Sequence, residues 1–185
     1  MRSPRPLSTR APAAPARPPA DALLALDAQI CFPVYAATNL ITRTYRPLLE
    51  PLGLTYPQYL VMLVLWESAP LTVKALGARL LLDSGTLSPL LKRLEERRLV
   101  TKRTDPEDAR RVVVSLTAGG RALKAAAARV PEALLCRLLA AGGPGAAVRV
   151  GALRRQLQDL VATLGASLDA HPEELPHPRT GRTSP

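Results

Sequence analysis

Between positions 33 and 49 the apolar residues Val34, Leu40, Ile41, Tyr45, Leu48 and Leu49 recur on one broad face, so the spacing predicts a helix opening near Pro33. A second start signal follows at "TYPQ". Thr55 can cap, Pro57 suits a first turn, and Gln58 stands where a capping box needs an amide. This helix is expected to run to about Glu67 and carries the longest apolar run of the chain, Tyr59 to Trp66. Thr72 then caps a short helix through about Leu82, and "DSGTLSPL" at 83–90 offers Asp83 or Ser84 as the cap of the next. In that next helix Leu87, Leu90, Leu91 and Leu94 share one side while Lys92, Arg93 and Arg97 point away from it. Thr86, Ser88 and Lys92 are left exposed near its N-terminal end.

The hydrophobic period then changes. Leu99 to Lys102 and Arg111 to Leu116 read as two short strands, the second through the β-branched run "VVVSL", with a charged hairpin tip from Asp105 to Arg110 between them. Thr117 caps a long Ala-rich helix that Pro131 must kink or break. "AGGPG" at 141–145 makes a turn, and a last helix runs from Ala146 to about Leu168. Residues 1–25, rich in Pro, Ala and Arg, and residues 171–185 are expected to be disordered. The expected fold is mostly α with a small β-hairpin: one unit at 26–170 whose helix, turn, helix and hairpin, at about 55–117, have the order of a winged helix-turn-helix.

Composition agrees with an α fold, since only 3% of the 185 residues are aromatic and the core must come from Leu, Val and Ala. The net charge is +10, and Arg2, Arg5, Arg10 and Arg17 precede the first acid, Asp21, leaving +6 for the rest. A basic body of this size suggests a polyanion, nucleic acid before membrane, although an arginine-biased composition would look the same. Two cysteines, Cys31 and Cys136, are too few for a disulfide framework and lack zinc-ligand spacing, so no metal and no cofactor is expected. Reduced thiols fit a cytoplasmic setting. No apolar run is long enough to span a bilayer, and the N-terminus lacks the apolar core of a signal peptide.

In a helix-turn-helix the second helix lies in the major groove and presents its N-terminal residues to bases and phosphates. Short hydroxyl side chains suit that place, because they let the backbone approach and can bond either. The candidate DNA-binding residues are therefore Ser84, Thr86, Ser88, Pro89, Lys92 and Arg93. Asp108 and Arg110 join them from the hairpin, spaced so that the carboxylate can hold the guanidinium as it enters a minor groove. The plainer alternative makes Ser84 and Thr86 ordinary caps and the hairpin tip a solvated turn.

From about Leu26 to Leu168 the chain resembles the MarR family of dimeric winged-helix regulators, and within it the organic-hydroperoxide-sensing OhrR branch. "LTVKALGARLLLDSGTLSPLLKRLEERRLV" and "DPEDARRVVVSLT" are shared broadly in the family, while the resemblance of "CFPVYAATNLITRTYRPLL" and "GLTYPQYLVMLVLWE" is much more specific. The resemblance implies a homodimer held by helices from both chain ends, binding a pseudo-palindromic operator in double-stranded DNA. It implies that Cys31 is the redox-sensing residue, that Tyr45 and Tyr56 hydrogen-bond it across the dimer, and that Cys136 is the resolving cysteine. Those residue types suit the task. A peroxide needs a thiolate, which the positive end of a helix and phenolic donors both stabilise, and Ile30 and Phe32 would favour an organic hydroperoxide as oxidant. Three rivals stay open: a MarR-type regulator answering an aromatic carboxylate, a thiol peroxidase, for which no βαβ pattern surrounds Cys31, and a sequence-independent DNA-coating protein. Cys31 as an inert buried thiol remains the plainest alternative.

Overall fold

The computed structural model describes residue 22 and residues 24–170, so nearly all of the two expected disordered segments lies outside the described residues. Helix α1 spans Cys31–Leu49 and starts two residues before Pro33. A 3-10 turn at Leu26–Ala28 feeds it, and its N-cap Ile30 already has helical dihedrals. Pro33 in the first turn costs no hydrogen bond, because the N–H it lacks would have no partner within the helix. A second 3-10 turn, Glu50–Leu52, ends at Gly53, whose φ of +63° is left-handed. The Leu54 N–H then donates to the Leu49 carbonyl at 3.2 Å.

Helix α2 (Tyr56–Ser68) begins with the expected capping box, in which the Thr55 N–H donates to Gln58 Oε1 at 2.9 Å. Its side chains are apolar on nearly every face, so it is buried on nearly every face. Tyr59, Val61, Met62 and Leu65 are at most 1% exposed, which makes α2 the spine of the lobe. Around it pack helix α3 (Val73–Leu80), helix α4 (Ser84–Glu96) and strand β3 (Val112–Leu116), which strands β1 (Leu71–Thr72) and β2 (Val100–Thr104) flank. Leu76 from α3, Leu87, Leu91 and Leu94 from α4, and Val100 and Val114 from the sheet close the core. Each buried leucine contributes roughly 1.5–3 kcal/mol.

The hairpin is longer and later than expected on its first arm, and it carries a third strand. The antiparallel order is β1-β3-β2, with Leu71 opposite Val114 and Lys102 opposite the same residue from the other side. β1 ties the start of α3 to the hairpin. Glu95 fastens α4 to it as well: Oε1 accepts from the Lys102 N–H at 3.0 Å and Oε2 pairs with Lys102 Nζ at 3.0 Å. Between α3 and α4 the chain turns so tightly that a Cβ at Gly77 would lie 2.7 Å from the Leu82 carbonyl oxygen.

Thr117 caps helix α5 (Ala118–Ala127) by accepting from the Gly120 N–H at 2.9 Å. The expected break falls at Ala128, upstream of Pro131, since the proline can neither donate to the Ala127 carbonyl nor clear it. Helices α6 (Arg129–Gly142) and α7 (Ala146–Ala170) follow, separated by a turn that includes Gly143 and Gly145 with positive φ. α5 is bolted to α2, with Trp66 Nε1 donating to the Gly120 carbonyl and Lys124 Nζ to the Trp66 carbonyl, both at 2.8 Å. α6 packs against α1. α7 carries Val150, Leu153, Leu157, Leu160 and Leu164 at alternating spacings of three and four, the pattern of a helix that pairs with another. Among the described residues no single helix is long and apolar enough to cross a membrane.

Candidate functional site

The N-terminal end of α4, the start of α3 and the hairpin enclose a cleft of about 930 Å³. Of the expected DNA-binding residues, Ser84, Ser88, Asp108 and Arg110 line it, joined by Lys74, Lys102 and Arg111. Thr86, Pro89, Lys92 and Arg93 are exposed on α4 outside its lining. Lys74 was legible as the second helical residue after the Thr72 cap, which places its side chain beside a helix N-terminus. Lys102 and Arg111 gave no signal beyond charge on strands whose facing the hairpin fixes.

Asp83, not Ser84, caps α4, and its carboxylate takes two bonds from Thr86: the backbone N–H to Oδ1 at 2.8 Å and the hydroxyl to Oδ2 at 2.9 Å. The Thr86 backbone and hydroxyl donors hold the Asp83 carboxyl below its usual range. Ser88 Oγ donates to the Ser84 carbonyl at 2.6 Å, while the Ser84 hydroxyl has no hydrogen-bond partner among the described residues. At the hairpin tip the geometry differs from expectation. Asp108 Oδ1 accepts from the Arg110 backbone N–H at 2.9 Å, which shapes the turn, and the ion pair beside it is Arg111 with Asp105 at 3.7 Å. The Arg110 guanidinium is exposed and held by no carboxylate among the described residues.

At the far end of α4, Arg97 donates through Nη2 to the Leu52 carbonyl at 3.1 Å and through Nη1 to the Gly53 carbonyl. This was not legible from the sequence, where Arg97 reads only as a residue turned away from the core. It joins α4 to the turn just before Tyr56.

Tyr45 on α1 and Tyr56 on α2 lie together, their ring centroids 4.7 Å apart, and Tyr59 stacks on Tyr45 at 5.8 Å. Burial pushes the Tyr45 phenol up to about 12, with a further push from Tyr56 and Tyr59; burial raises Tyr56 and Tyr59 as well. All three are therefore neutral donors at physiological pH. The Tyr59 hydroxyl is buried without a hydrogen-bond partner among the described residues.

Cys31 and Cys136 are both free and exposed. From Cys31 to Tyr45 along α1 is about 21 Å, at roughly 1.5 Å per residue, so one chain does not bring its first cysteine to its own tyrosines. Cys136 adjoins Arg137, whose Nη1 donates to the Thr44 carbonyl at 3.4 Å, so it sits toward the tyrosine end of α1. The two cysteines of one chain are not joined by a disulfide. The expected apolar surround of Cys31 is not enclosed within a single chain either, since Ile30 is 77% exposed. Among the described residues no group of His, Cys, Asp or Glu could hold a metal ion.

Helix, turn, helix and a three-stranded hairpin over one core define a winged helix-turn-helix DNA-binding protein. The MarR family pattern matches residues 52–111. The organic hydroperoxide resistance transcriptional regulator of Bacillus subtilis is 49% identical over 110 residues, covering 60% of this chain and 75% of that protein. The chain belongs to the MarR family of transcriptional regulators. The regulator TtmR of Methylorubrum extorquens is 58% identical over 99 residues, 54% of this chain and 51% of its own length. Among solved structures, overoxidized AbfR bound to DNA has a TM-score of 0.57 at 35% identity, covering 73% of this chain and 94% of that one. The disulfide-formed AbfR has a TM-score of 0.54 at 34% identity, covering 74% and 92%.

Proposed function

We propose that this regulator binds its operator as a homodimer and releases it when an organic hydroperoxide oxidises Cys31. The observation that carries the reading is the division of the thiol and phenol groups along α1. Cys31 stands at one end of the helix, while Tyr45, Tyr56 and Cys136 gather toward the other. An antiparallel pairing of two chains brings each Cys31 to the partner's phenols and Cys136. The exposed apolar residues of α1 and α7 supply the surface for that pairing.

The chemistry then follows in two steps. The Cys31 thiolate attacks one peroxide oxygen, forming an S–O bond as the O–O bond breaks, and the departing alkoxide takes a proton to become an alcohol. The thiolate of Cys136 next attacks the sulfenic sulfur, an S–S bond forms, and hydroxide leaves as water. Neutral phenols from Tyr45 and Tyr56 donate to the sulfur while it is negative. In the reduced state Ser84, Thr86, Ser88, Pro89, Lys92 and Arg93 face the major groove, and the hairpin, with Arg110 at its tip, reaches the minor groove. An oxidised dimer that prefers another lobe spacing no longer matches two half-sites. The named properties of the hydroperoxide resistance regulator and of AbfR in its oxidised forms support the same reading.

Titration of an operator with reduced protein, then with protein treated with an organic hydroperoxide, tests it. Affinity should fall roughly tenfold or more on oxidation. Non-reducing electrophoresis should show a covalent dimer, and Cys31→Ser should bind DNA normally and ignore the oxidant. Release by Cys31→Ser on treatment would sink the proposal.

A further inference from the structure

The Thr86 hydroxyl is not free to choose its partner. Its oxygen lies 2.9 Å from Asp83 Oδ2, and an ionised carboxylate can only accept, so the shared proton is the one belonging to Thr86. Asp83 stays ionised through the range in which proteins bind DNA, because Thr86 holds its carboxyl low through both donors. The bond is charge-assisted, hence stronger than one between neutral groups. What Thr86 turns outward is a pair of oxygen lone pairs.

An outward acceptor has few partners in DNA. Phosphate oxygens accept, as do guanine O6 and N7, adenine N7 and thymine O4. The donors on the major-groove edge are the exocyclic amino groups, adenine N6 and cytosine N4. Donors for phosphate are supplied instead by the exposed or half-exposed Lys74, Lys102, Arg110 and Arg111 and by the unbonded Ser84 hydroxyl.

We infer that Asp83 makes Thr86 a selector of amino-bearing bases, so that each operator half-site carries an adenine or a cytosine where Thr86 meets the groove. Ser88 is held by a neutral carbonyl and can rotate away at lower cost, so the assignment is confined to Thr86. The inference rests on α4 being the helix that enters the major groove and is independent of the peroxide chemistry.

The test uses the full-length reduced protein and a duplex it selects from a random library. Each adenine of one half-site is replaced in turn by purine, which lacks the 6-amino group, and each cytosine by 2-pyrimidinone, which lacks the 4-amino group. One position should lose roughly tenfold in affinity for the wild type. Thr86→Val should bind the parent duplex about that much more weakly and be indifferent to the replacement there. Weakened base pairing cancels in that comparison. The adenine and cytosine arms tell the two sources of the amino group apart. Asp83→Asn keeps an acceptor for the Thr86 N–H but offers an amide donor to its hydroxyl oxygen, so the Thr86 proton turns outward toward an acceptor, guanine O6 or N7, adenine N7 or thymine O4, and the sensitivity to the amino deletion at that position should be lost. The inference is overturned if no amino deletion matters, if Thr86→Val keeps the wild-type sensitivity, or if Asp83→Asn keeps it. Should Thr86→Val not fold, as judged by circular dichroism, the Asp83→Asn sensitivity decides alone. A failure of the underlying reading looks different, because both variants would then keep wild-type affinity and wild-type selected sequences.

Discussion

The winged lobe and the two terminal arms are made from the same leucines and valines, yet they stand in opposite surroundings. Leu76, Leu87 and Leu94 in the lobe are 0% exposed, whereas Leu153, Leu164 and Leu168 on α7 are more than half exposed. The lobe finds cover for its apolar surface within one chain, through α2 at its centre and the sheet at its side. α7 presents an apolar stripe with the spacing of a pairing helix, and Leu153, Leu157 and Leu164 on it stay exposed among the described residues. The difference teaches that the two draw on separate sources of stability, the lobe on its own core and α7, in the proposed homodimer, on a second copy, so that each can be damaged alone.

The largest expected effect comes from breaking the arms. Leu157→Glu combined with Leu164→Glu should leave the lobe folded but the chain monomeric by sedimentation. Operator affinity should fall by roughly 10²–10⁴, the gain that linking two binding modules gives. A dimeric double variant would show that the stripe on α7 is not the contact. Next comes the lobe itself: Leu94→Ala opens a cavity in a fully buried site and should cost about 2–5 kcal/mol in urea unfolding. A loss below about 1 kcal/mol would mean that the core there collapses around the gap.

The smallest effect belongs to the cap of α4 and sharpens the comparison at an exposed point of the lobe. The folded Asp83 pKa lies below its unfolded value, so its contribution is complete above the unfolded carboxylate pKa of about 3.9 and fades as pH falls through the folded value. The difference in urea midpoint between wild type and Asp83→Ala should be constant from about pH 7 to 5 and shrink below about pH 4. A gap that widens in acid would reverse the assignment.

Much of the lobe was legible because its signals are local. Thr55 with Gln58, Thr72, Asp83 and Thr117 are caps that need only their own neighbours, and Pro131 acts on a carbonyl four residues back. β1 was not legible, since two residues show no alternation and the strand exists only through Val113 and Val114 opposite it. The site was legible in kind rather than in geometry. Hydroxyls and cations at the start of α4 stood out, but the cleft brings in Lys74, Lys102 and Arg111 through the register of the sheet. Arg97 and the Tyr45, Tyr56 and Tyr59 cluster depend on contacts between distant segments, and Asp108 bonds a backbone amide where charge pairing pointed to a guanidinium.

The length of α1 between Cys31 and Tyr45 has a genetic as well as a chemical consequence. In the proposed sensor, completed only across two chains, a defect in the thiol and a defect in the phenols are different complementation groups. Mixing a Cys31→Ser chain with a Tyr45→Phe, Tyr56→Phe chain yields heterodimers in which one site combines both defects and the other is fully wild type. Two variants that are each deaf to peroxide as homodimers would together regain up to half of the sites, and the regained response would vanish on dilution below the concentration at which the chains associate.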